Sequence, residues 1–163
     1  MKKKIKFTCV LLVLVMVFST VAAIPASAAK ATTIETKLVQ KNLNWLYYRD
    51  ASNAILSEDG NWGSKTDQAM VKYKQWAKIS YIDQQQLYRH LRETVELIQD
   101  YLNCKKIGVS AISVDGDAGT ATKNATKAFQ SVYNKTHKGN LQIDGIMGPQ
   151  TLTALTRNNN SCC

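Results

Sequence analysis

Apolar side chains recur at steps of three and four residues through most of the chain. Val39, Leu43 and Leu46 share one face, and Val95, Ile98 and Leu102 share another. Ala69, Met70, Tyr73 and Trp76 form a third stripe; Ala125, Ala128, Phe129 and Val132 form a fourth; Leu152 and Leu155 form a short last one. Steps of three and four predict amphipathic helices rather than strands. Leu87 and Leu91 stand four apart and run on in phase into Val95, so one long helix is expected from about Gln84 to Asn103. Asp83 is placed to cap its start. The pattern predicts an all-α chain: two small three-helix bundles in tandem, fused through that shared helix.

Between the helical stretches the pattern Asp-Gly-x-x-Gly-x-x-Thr occurs three times: at Asp59–Thr66, Asp115–Thr122 and Asp144–Thr151. Each copy stands just before a helical run, so each is a loop that starts a helix. The Asp is suited to accept from backbone N–H groups a few residues on. The first glycine (Gly60, Gly116, Gly145) supplies a positive φ. The second (Gly63, Gly119, Gly148) is expected to permit a tight turn into the helix, and Thr66, Thr122 and Thr151 fall in its first turn. Pro149 after Gly148 is well placed as a first helical residue. Trp62, Ala118 and Met147 are expected to point inward.

The chain can be laid on itself. Val39-Gln40-Lys41-Asn42-Leu43-Asn44 matches Ile98-Gln99-Asp100-Tyr101-Leu102-Asn103, and Thr66, Ala69 and Tyr73 match Thr122, Ala125 and Phe129. Two units follow, residues 30–92 and 93–157. The first lacks a second loop: where the second unit has Ile143-Asp144-Gly145-Ile146-Met147-Gly148-Pro149, the first has Ile82-Asp83-Gln84-Gln85. Each unit alone is near the lower size limit for an independent core, so fusion would help both.

Residues 1–28 read as a secretory signal. Lys2, Lys3, Lys4 and Lys6 precede the apolar run Cys9–Phe18, and Ala26-Ser27-Ala28 is an A-x-A cleavage site. Removing those four lysines from the 21 basic residues leaves 17 against 12 acidic, a mild net +5. No basic stripe stands out, which argues against nucleic acid. Modest positive charge suits a phosphate-rich, Gram-positive type of wall. No second apolar run is long enough to span a membrane. Cys104, Cys162 and Cys163 remain after cleavage, too few for a disulfide scaffold; a bridge from Cys104 to Cys162 or Cys163 would pin the polar tail 158–163.

Candidate chemistry is sparse. His90 and His137 are the two histidines, and neither has the spacing of a zinc peptidase. Both are expected to be solvated. Nothing marks a histidine as partner to Cys104. Asp115-x-Asp117 resembles the start of a calcium loop, but the carboxylate at the twelfth position is absent, so neither metal nor cofactor is expected. The loop aspartates, Asp59 included, are explained as staples. Among the aromatics, Trp45 and Tyr48 are expected in the core or between the units, and Tyr47 and Tyr133 at the surface, where a flat face could stack on sugar. Tyr47, Tyr133, Asp115, Asp117 and Asp144 are the candidate ligand contacts.

These letters resemble the peptidoglycan-binding-like module of bacterial wall hydrolases. The second unit carries Ile98-Gln99-x-x-Leu102, Val114-Asp115-Gly116, Ala125-x-x-x-Phe129-Gln130 and Ile143-Asp144-Gly145-Ile146-Met147-Gly148-Pro149-x-Thr151. It departs at Ala118, where the family prefers an aromatic, and in an insert from Ser131 to Asn140. In the first unit Trp62 fits, but Tyr73-Lys74 replaces Phe-Gln. The resemblance implies a small helical fold that binds peptidoglycan noncovalently. It points to a secreted cell-wall protein with no catalytic residues of its own. The alternatives are a structural or regulatory module that binds another secreted protein, such as a wall hydrolase, or an unrecognised wall hydrolase. Anionic wall polymers are a further candidate partner.

Overall fold

A computed structural model describes residues 33–80, 83–105 and 110–157. The expected signal (1–28) and tail (158–163) lie outside the described residues. Among the described residues all regular structure is helical: α1 (Thr33–Trp45), α2 (Ser64–Ala77), α3 (Gln84–Cys104), α4 (Thr120–His137) and α5 (Pro149–Arg157). None of these helices is long and apolar enough to cross a membrane.

The long helix is continuous, as its four-residue apolar step predicts. Asp83 starts α3 with a capping box: its carboxylate accepts from Gln86 N at 2.7 Å, and the Gln86 side chain accepts from Asp83 N at 3.2 Å. Leu87, Leu91, Val95, Ile98 and Leu102 form its buried face. Each such side chain, fully buried, contributes about 1.5–3 kcal/mol.

Helix α1 is heavily buried. It packs on α2 and on α3, while α4 packs on α3 and α5 on α4. Asn42, Leu43, Asn44 and Trp45 are all buried. Four consecutive buried residues cannot lie on one side of a helix, so α1 is enclosed on several sides. One apolar cluster runs from Val39 through Val95 to Leu155.

Three glutamines organise the three loops in the same way. Nε2 of Gln40, Gln99 and Gln130 donates to the loop aspartate: Asp59 at 3.0 Å, Asp115 at 2.9 Å and Asp144 at 3.0 Å. The same nitrogen reaches the carbonyl two residues on, in Asn61, Asp117 and Ile146. It also lies within 3.4 Å of Thr66 Oγ1, 3.0 Å of Thr122 Oγ1 and 3.2 Å of Thr151 Oγ1. The amide oxygen accepts from the first-glycine N–H: Gly60 at 2.9 Å, Gly116 at 3.0 Å and Gly145 at 2.9 Å. One turn later Asn44, Asn103 and Asn134 each bond both the N–H and the C=O of the residue three before the aspartate (Leu56, Ile112 and Leu141). The position in α2 that corresponds to Gln130 is Lys74. An ammonium donates but cannot accept, so it cannot close such a loop. After α2 the chain passes instead to the Asp83 cap of α3.

The first glycines are at φ 79° (Gly60), 72° (Gly116) and 77° (Gly145). They lie against the helix that carries their glutamine. A Cβ on Gly145 would come within 2.7 Å of the Lys123 carbonyl oxygen. The second glycines differ from expectation. Gly63 is extended, at φ −119°, and a Cβ there would meet nothing within 4 Å. Their role is not steric.

Three inward assignments are corrected. Trp76 is 49% exposed, because its ring leans over Tyr48 and Tyr73 at the edge of the cluster rather than entering it. Val132 is exposed on α4. Trp62 is half-buried, held at the rim by a bond from its Nε1 to Asp67 Oδ1. Much of the insert 131–140 is helix, since α4 continues to His137.

Candidate functional site

Helix α1 reaches into the second and third loops. Asn42 donates to Gly116 O at 2.9 Å and accepts from Ala118 N at 3.0 Å. Lys41 Nζ lies 2.7 Å from Asp117 Oδ1 and 2.9 Å from Oδ2. Met147 N donates to Trp45 O at 2.8 Å, tying the third loop to the end of α1.

That end, like those of α2 and α4 at Lys78 and Lys138, turns on a left-handed residue that is not glycine. Tyr48 N bonds Leu43 O at 2.8 Å and Tyr47 N bonds Asn44 O at 3.1 Å, the pattern of a Schellman stop. The left-handed residue such a stop requires is commonly glycine. Here it is Tyr47, at φ 67°. The ring is held by Arg49, whose guanidinium carbon lies 4.8 Å from the ring centroid. Arg49 is itself buried, and its Nη1 donates to Asn44 O at 2.9 Å and Asn44 Oδ1 at 3.2 Å. Burial holds the Arg49 pKa below its usual range, opposed by the negative charges available to Tyr47 and Asp144.

Tyr47 remains 46% exposed and forms one wall of a groove. The other side is the third loop and the start of α5, with Gln142, Asp144, Ile146 and Gln150. Asp144 Oδ1 accepts from Gln130 and from Ile146 N at 2.8 Å, which orients the carboxylate; Oδ2 has no partner among the described residues. A second groove shares Pro149 and Gln150 with the first and is lined by Tyr133, Asn140 and Arg157. Tyr133 is half-buried, stacked on His137 with centroids 4.5 Å apart.

Of the five candidate ligand contacts, the structure places Tyr47 and Asp144 in one groove and Tyr133 in its neighbour. Asp115 and Asp117 line neither groove. Asp115 Oδ1 accepts from Gln99 and from Asp117 N at 2.9 Å, and Asp117 is paired with Lys41. Asp59 and Asp144 make the corresponding bonds to Asn61 N and Ile146 N, at 2.8 Å each. Those bonds to Asn61 N and Gln40 hold the Asp59 carboxyl below the usual carboxylate range.

His90 is not the freely solvated residue expected. Its Nδ1 lies 2.6 Å from the hydroxyl of buried Tyr73, which is also 2.8 Å from Thr94 Oγ1. Desolvation pulls its pKa below the ordinary 6.5, against the opposing charge of Glu93. Burial pushes the Tyr73 and Tyr48 phenols up. Among the described residues no group of three or more His, Cys, Asp or Glu could hold a metal ion. Cys104 is disulfide-bonded; its partner, and with it the expected pairing to Cys162 or Cys163, lies outside the described residues.

Sequence reasoning did not single out Gln40, Gln99 and Gln130 as loop centres. The signal was present, as a Gln and an Asn four apart ahead of every Asp-Gly pair. Asn42 and Arg49 carry no such signal, because their partners lie in the other unit or in their own turn.

Residues 92–155 match the family model described as a putative peptidoglycan binding domain. The matched segment contains the second and third loops, both glutamines that hold them, and every residue of the two grooves except Tyr47 and Arg157. Neither a curated protein nor a solved structure matches the chain.

Proposed function

We propose that this protein is a secreted, non-catalytic component of a Gram-positive cell wall that binds peptidoglycan through the module at 92–155. The match of that module to a peptidoglycan-binding family carries the reading. The paired grooves beside α5 support it, since they bring two aromatic side chains with polar rims together, Tyr133 from that module and Tyr47 from the end of α1. Residues 30–92 are a degenerate copy of the module. They keep the Gln40 loop but have Lys74 where a second loop would need glutamine, and they act as the structural partner of the binding unit. Tyr47, Tyr133 and Asp144 are assigned to the ligand; Asp115 and Asp117, with the other loop residues, are assigned to the fold. The absence of catalysis is supported by Asp59 and Asp115 being held as loop staples and Asp117 being paired with Lys41. The net charge expected after signal cleavage favours approach to anionic wall polymers without being the recognition itself.

Retention on purified sacculi tests this. The folded protein should pellet with sacculi at moderate salt, should still do so after wall phosphate polymers are removed, and should leave sacculus turbidity unchanged over time. Lack of retention rejects wall binding. Falling turbidity would make the protein a hydrolase.

A further inference from the structure

We propose that the ligand of the Tyr47 groove is the glycan strand, and that Tyr47, contributed by the first unit, is its stacking platform. This rests on the wall-binding reading and names the part of the polymer that is held.

The first observation is conformational. A left-handed backbone at a residue with a Cβ is unfavourable by about 1–2 kcal/mol, and glycine would end α1 without that cost. Burial does not offset it in full, because the ring is nearly half exposed. Lys78 and Lys138 end α2 and α4 in the same left-handed conformation, so it is the placement of Tyr47, not the strain itself, that points to a role. What the strain achieves is placement. Tyr47 is fixed between a buried Arg49 on its ring and the third loop, with its Cβ 3.7 Å from where a Gly148 Cβ would stand.

The second observation is the chemistry of the walls. A pyranose presents an apolar C–H face to an aromatic ring and hydroxyls around its edge. Gln142 and Gln150 offer both donors and acceptors, and Asp144 Oδ2 offers a further acceptor. The third observation is continuity. The neighbouring groove shares Pro149 and Gln150 and is lined by a second aromatic, Tyr133, so the site suits a chain of rings. Arg157 lies in that second groove, where it can meet an acidic substituent of the strand.

The test uses soluble glycan strands freed of their peptides, and the isolated stem peptides, titrated against the folded protein. Strands should bind and stems should not. Tyr47→Gly should weaken strand binding by about tenfold, the size of one lost aromatic contact, while melting no lower than the wild type. Gln150→Ala, on the shared rim, should weaken it several-fold. The inference is overturned if both variants bind strands as the wild type does, or if stems bind and strands do not. In either case wild-type retention on sacculi would leave the wall-binding reading intact, whereas no retention would remove both.

Discussion

Gln99 holds Asp115 from the neighbouring helix: its Nε2 donates to the carboxylate at 2.9 Å while its Oε1 accepts from Asp115 N at 3.0 Å. With Gly116 N, Asp117 O and Thr122 Oγ1 also on this one amide, the loop has a single organising side chain. Gln99→Leu keeps the volume and removes every bond. It leaves the buried Gly116 N–H unpaired, so a loss of about 2–4 kcal/mol is expected. Urea unfolding measures it. Gln130→Leu should cost a similar amount, because its bonds to the third loop are the same. A loss well under 1 kcal/mol at both positions would mean that the loops hold themselves.

The two glycines of each loop should behave oppositely. Gly145→Ala puts a Cβ against the Lys123 carbonyl, which is backbone and cannot swing away, at φ 77°. The expected cost is about 2 kcal/mol or more. Gly63→Ala meets nothing within 4 Å and has ordinary φ. As the N-cap residue it should cost no more than about 1 kcal/mol, the difference between glycine and alanine as helix caps. Thermal melts of the two variants check the contrast.

The helices, the continuous α3 and its Asp83 cap were legible because they rest on local spacing: apolar steps of three and four, and an acid one residue before the run. Burial at Val39, Leu43, Ile98 and Leu102 follows from the same spacing. The misplacements at Trp76 and Val132 share a cause. A stripe predicts the buried side of a helix, but its last member can run past the end of the surface it packs on. Tyr47, Asp144 and Tyr133 of the candidate site were legible as residue types. Their arrangement was not: the left-handed turn at Tyr47 and the buried Arg49 beneath it rest on bonds to Asn44 that apolar spacing does not encode, and the reach of α1 to the third loop depends on contacts between residues about 100 apart, such as Met147 N on Trp45 O.

His90 should give the protein an acid-sensitive step. Its folded pKa lies below 6.5 because burial disfavours the imidazolium. Below pH 6.5 the unfolded chain therefore binds more protons than the folded one. Stability is full above pH 6.5 and falls as pH drops from there through the lower folded value. A further loss follows in the acid range as Asp50 and Asp59, both held below the usual carboxylate value, are protonated. His90→Gln should flatten the first step and leave the second. Melting temperature measured from pH 8 to pH 3 checks both, and an unchanged first step in the variant assigns it elsewhere.

Contacts between the units should decide how the protein unfolds. Asn42 is buried and bonds both Gly116 O and Ala118 N, so Asn42→Ala strands two buried backbone groups and should cost about 2–4 kcal/mol. Lys41 and Asp117 form a part-exposed pair, 27% and 39% accessible. Lys41→Ala should cost about 0.5–1 kcal/mol, and less in high salt, where Asn42→Ala keeps its full effect. Tryptophan placement makes the coupling readable. All three tryptophans, Trp45, Trp62 and Trp76, lie in the first unit, whereas helical circular dichroism reports both. If α1 is a shared core element, the fluorescence and dichroism transitions coincide in the wild type, and in Asn42→Ala they move together to lower denaturant. Transitions that separate, with fluorescence lost at one midpoint and residual helix at another, would show that the second unit stands without α1. The groove would then lack its Tyr47 wall whenever the first unit opened.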